Sequence, residues 1–210
     1  MNYFEKNVSQ YQSFSLSLHR LIKTTNMVEF NEVLLSGAEH TVTMRALDGR
    51  MTCITGGTPY WRSRWLEALM GFEFPKRGFI SIDGEPMTPS TLAELRALMA
   101  YAPYRLDDEG EVVVYEAPTV QDVFSLKANR DVPISNGILA EEHRHTGDNG
   151  PQGLWLAVAV LRKKPILLVD SPPAATADYL QRQAYNEGRT VIVASADKAI
   201  VDKADTIVEL

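Results

Sequence analysis

Two short stretches carry residue types that can handle phosphates and metal ions. The first is an apolar run, Met51–Thr55, passing into Gly56-Gly57-Thr58-Pro59-Tyr60-Trp61-Arg62-Ser63 and then a helical pattern with Trp65, Leu66, Leu69 and Met70. A strand that feeds a glycine loop and then a helix offers backbone N–H groups and a helix N-terminus to an anion. Arg62 would add a cation and Ser63 a hydroxyl. The second stretch is Ile166-Leu167-Leu168-Val169-Asp170, the pattern of a buried strand ending in an acid that can hold Mg²⁺. Either stretch alone is common. Their order and surroundings narrow the reading.

Other chemistry-bearing residues have blander expectations. Glu141, Glu142, His143 and His145 lie close together, but no third and fourth ligand follow at metal spacing, so a solvated charged loop is expected. Cys53 stands alone on a buried strand and is expected to be core, which excludes an internal disulfide and a cysteine zinc site. The four histidines follow no nucleophile pattern. Trp61 and Trp155 are expected to pack.

The elements that must position these residues alternate. Strands are expected at Val28–Val33, Thr41–Leu47, Met51–Thr55, Phe79–Ile82, Ile166–Val169, Thr190–Ala194 and Thr206–Leu210. Helices are expected after the glycine loop and at Leu92–Leu98, Val120–Leu126 and Leu154–Leu161. The alternation predicts an α/β domain with a mostly parallel central sheet. Residues 1–26 stand apart. Phe4, Val8, Tyr11, Phe14, Leu18, Leu21 and Ile22 recur at helical steps, so an amphipathic helix is expected, packed on the body or docking a partner.

Composition sets the limits. A chain of 210 residues holds one well-buried domain. Its net charge of −6 disfavours broad nucleic-acid binding, which needs a basic face. The apolar run Leu154–Leu161 ends at Arg162, Lys163 and Lys164, far short of a membrane span, and the N-terminus lacks a signal-peptide core. The expected location is the cytoplasm, free or peripheral at the inner membrane.

Taken in order, the segments resemble the ATP-binding cassette of ABC transporters. Trp65–Met87, WLEALMGFEFPKRGFISIDGEPM, follows the family's helix and hairpin after the phosphate loop. Leu98–Tyr104 sits where a strand runs into the Q-loop. Gly153–Ala174 follows the helix, Walker B strand and D-loop, and Gly188–Leu210 follows the switch strand and last strand. The resemblance implies a P-loop NTPase-like three-layer domain over 27–210. It would have an antiparallel β subdomain and a shortened helical subdomain at about 104–150.

The same resemblance assigns the site and shows how far it departs. Of the family's GxxGxGK[ST], Gly56 matches, and Gly57 lies in the same loop. Pro59 and Trp61 replace glycines, Arg62 replaces the lysine, and Ser63 is the hydroxyl residue. Proline has no N–H, and an indole stands where bare backbone must meet phosphate. Gly37 falls at the aromatic adenine platform, which Tyr3 or Tyr60 could replace in space. Asp170 keeps the Mg²⁺ position, with Ser63. Ser171 replaces the catalytic glutamate, Tyr104 the Q-loop glutamine and Ala196 the switch histidine. A serine is no general base near neutral pH without an activator. Thr146-Gly147-Asp148-Asn149-Gly150 replaces the signature LSGGQ, and Asp148 would face a partner's γ-phosphate.

The expected nucleotide-binding set is therefore Gly56, Gly57, Arg62, Ser63 and Tyr104, with weak or absent ATP and Mg²⁺. The reading is a degenerate, non-hydrolytic cassette that partners a membrane permease or another cassette, as a homo- or heterodimer. Two alternatives stay open. One is a working ATPase with a rearranged site using Arg62, Ser63, Asp170 and a base such as Asp178 or Asp197. The other is a P-loop fold reused to bind a protein or ligand.

Overall fold

The computed structural model describes residues 27–103 and 134–210. The chain builds two sheets, each with its own hydrogen-bonding logic. β1 (Val28–Leu34), β2 (Val42–Ala46), β4 (Arg77–Ile82) and β5 (Glu85–Pro86) form an antiparallel sheet in the order β2-β1-β4-β5. β3 (Met51–Thr55), β6 (Met99–Ala102), β7 (Ile166–Asp170), β8 (Thr190–Ala194) and β9 (Thr206–Glu209) form a parallel sheet in the order β6-β7-β8-β3-β9. The helices are α1 (Pro59–Leu69), α2 (Leu92–Ala97), α3 (Asn136–His145), α4 (Pro151–Leu161), α5 (Ala177–Tyr185) and α6 (Lys198–Val201).

The parallel strands β7 and β8 are buried along their whole length, as a sheet covered on both faces requires. Alternate residues serve different cores. Ile166, Leu168 and Ile192 face one cluster, with Trp65, Leu66 and Leu69 of α1 and with Val28, Phe30, Ile80 and Ile82 of the antiparallel sheet. Leu167, Val169, Val191 and Val193 face the other, with Leu156 of α4 and Tyr179 and Leu180 of α5. This period-two division is the α/β three-layer build expected from the sequence. A third cluster joins α3 to α4 through Leu139, Leu154 and Val158.

The antiparallel sheet bends at one place. The register of β1 shifts between Phe30 and Val33 against β2 and between Asn31 and Leu34 against β4, and Glu32 there has φ +45°. Gly78 lies against this bulge so closely that a Cβ would come within 2.2 Å of the Asn31 carbonyl oxygen. Close backbone approach therefore places β4 two residues earlier than its apolar pattern suggests.

Two expectations need revision. Residues 141–145 are the C-terminal part of α3, not a loop; Ser135 caps that helix by accepting from the Ile138 amide. α4 begins at Pro151, three residues before the apolar run, because proline suits the first helical position. The helix expected at Val120–Leu126 and residues 1–26 lie outside the described residues.

Candidate functional site

The glycine loop between β3 and α1 winds through left-handed backbone, with φ +77° at Gly56 and +54° at Gly57. Thr58 caps α1, its hydroxyl accepting from the Trp61 amide at 3.3 Å. Pro59 follows at the helix start. From the first turn the Arg62 side chain folds back into the loop. Its Nη1 donates to the carbonyl oxygens of Gly56 at 3.0 Å and Gly57 at 3.1 Å. Arg62 is 7% exposed, and its Nε has no partner among the described residues. Two loop carbonyls thus converge on a cation that the chain itself supplies.

Trp61 reaches across to the turn after β1. A Cβ at Gly37 would lie 3.5 Å from its ring. The Arg64 guanidinium stacks over Trp61 at 4.5 Å and near Tyr60 at 5.7 Å, and pairs with Glu73 at 2.6 Å. Tyr60 is half exposed, and Tyr3 lies outside the described residues.

Asp170, at the end of β7, is 2% exposed. The Ser171 hydroxyl donates to its Oδ1 at 3.1 Å, and the Tyr101 hydroxyl to its Oδ2 at 3.3 Å. The Ser63 hydroxyl donates to the Pro59 carbonyl oxygen at 3.2 Å and lies near enough to Asp170 to draw its carboxyl down. Burial pushes the Asp170 carboxyl up to about 6, against the pull of these three hydroxyls. The fold places Ser63 and Asp170 near one another. It also brings in Tyr101, which sequence reasoning missed. Tyr104, three residues further on, lies outside the described residues.

The remaining positions are placed plainly. Ser171 has φ +43°, held by its amide donating to the Ala194 carbonyl oxygen at 2.8 Å. Ala196 follows β8 with an exposed methyl and no polar group. Asp197 caps α6 by accepting from the Ala199 amide at 2.8 Å. Asp178 pairs with Lys203 at 2.7 Å, which holds its carboxyl below the ordinary value. Both carboxylates suggested as alternative bases are engaged elsewhere.

Asp148 is also turned inward. Its Oδ1 accepts from the Gly150 amide at 3.2 Å and its Oδ2 from the Gly153 amide at 2.7 Å. The carboxylate thus caps α4 and answers the positive end of its dipole, instead of projecting toward a partner as the sequence suggested. His143 sits 3.1 Å from the Gly150 carbonyl oxygen, and Glu142 bonds the Tyr179 hydroxyl. Among the described residues, no group of three or more His, Cys, Asp or Glu could hold a metal ion. Cys53 is core, and burial pushes its thiol up to about 11.

No family model matches the chain. It is 24% identical over 192 residues to an ATP-dependent lipid A-core flippase of Cupriavidus metallidurans, covering 80% of this chain and 32% of that protein. The chain thus spans about a third of the length of this curated relative. Among solved structures, a bacterial Atm1-family ABC exporter with ATP bound aligns at TM-score 0.66 and 19% identity, covering 89% of this chain and 37% of that one. An ATP-binding subunit of an ABC transporter aligns at 0.64 and 20%, covering 88% and 85%. The cbiO1 protein of Clostridium perfringens, part of the cbiONQ transporter complex, aligns at 0.62 and 15%, covering 88% and 84%. The fold is that of the nucleotide-binding domains of ABC transporters, a P-loop NTPase fold. Among the described residues no helix is long and apolar enough to cross a membrane.

Proposed function

We propose that this chain is a non-hydrolytic ABC-type cassette, a structural or regulatory partner in a transporter complex. Residues 27–210 form the cassette, about 104–150 its reduced helical subdomain, and 1–26 an extension. One observation carries the reading. The Arg62 guanidinium occupies the glycine loop and draws the Gly56 and Gly57 carbonyl oxygens toward itself. A cradle for phosphate needs converging N–H groups and open space. Here a carbonyl pair and a buried guanidinium stand in that place, with Trp61 next to Gly57 and its indole turned to Gly37. The residues present do not fit Mg-ATP in the family's usual pose.

The reaction machinery argues the same way. Asp170 is surrounded by hydroxyls, and Ser171 and Ala196 supply neither base nor imidazole. The retained scaffold fits a role at the cytoplasmic face, beside a permease or a second cassette. Titration of the purified protein with Mg-ATP by calorimetry tests the reading. The expected result is no heat at millimolar nucleotide. ATP turnover that vanishes in Asp170→Ala would overturn it and restore the working-ATPase alternative.

A further inference from the structure

We draw no further inference here: the strongest candidate, the cavity of about 290 Å³ that Gly37, Glu39, Trp61, Trp65 and Glu209 wall beside the glycine loop, belongs to the site already described, and nothing in the structure shows what fills it.

Discussion

Arg62 and Gly56 are joined by a 3.0 Å hydrogen bond in which the side chain supplies the proton and the glycine loop supplies the carbonyl oxygen. The bond closes a short circuit within one turn of chain, from the end of β3 to the first turn of α1. It leaves the loop's form dependent on a residue of the chain.

Removing that residue exposes the dependence. Arg62→Ala leaves the Gly56 and Gly57 carbonyls without their charged donor, and should lower unfolding free energy by about 1.5–3 kcal/mol. Arg62→Lys should lose less, since an ammonium can still reach one carbonyl. Urea denaturation measures both. An unchanged midpoint in Arg62→Ala would show that the contact contributes nothing.

Asp170 makes stability depend on pH. Its carboxyl is raised from 3.8 to about 6 by burial, so the folded chain holds that proton more tightly than the unfolded chain. Between these values stability falls as pH rises, by up to about 3 kcal/mol. Asp170→Asn should therefore be more stable than the parent at pH 7.5, by about 1–3 kcal/mol, with the gap closing near pH 4. Thermal unfolding at the two pH values tests this, and a gap of the same size at both would refute it.

Asp148 is expected to behave as a helix cap. Asp148→Ala should cost about 1 kcal/mol, while Asp148→Asn should lose less, because its one carbonyl oxygen can keep the bond from the Gly153 amide and gives up only the one from Gly150. Chemical denaturation of the two variants separates capping from a purely electrostatic effect, in which both would lose alike.

Tyr179 ties α5 to α3 through Glu142. Tyr179→Phe removes the donor and leaves the carboxylate short of a partner, at an expected cost of about 1–2 kcal/mol. Hydrogen exchange should show the loss concentrated in α3, and an even loss over the whole domain would contradict a local tie.

Much of the frame was legible in the sequence. Ile166–Val169 and Val191–Ala194 are unbroken apolar runs, and they lie in the two strands buried along their whole length. Gly56, Gly57 and the apolar face of α1 were legible for the same reason, since φ above zero and helical spacing leave marks on residue type. The site was less so. Nothing in residue order says that Arg62 turns back upon the loop, because that choice is made by burial and by two carbonyls brought near in space. Tyr101 was missed because its partner Asp170 is 69 residues away. Two signals were present and went unused. Pro151 marked the start of α4, and Ser135 marked the start of α3.

The contact between Trp61 and Gly37 bears on what each position can accept. Bulk stands on the loop side of this pair, and the turn side is bare, with φ +81° at Gly37. An aromatic side chain at Gly37 alone would collide with the indole, and trimming Trp61 alone would leave a hole beside the cavity. The positive φ strains any side chain at Gly37 whatever stands opposite, so backbone and indole together keep this wall of the cavity bare on one side and bulky on the other.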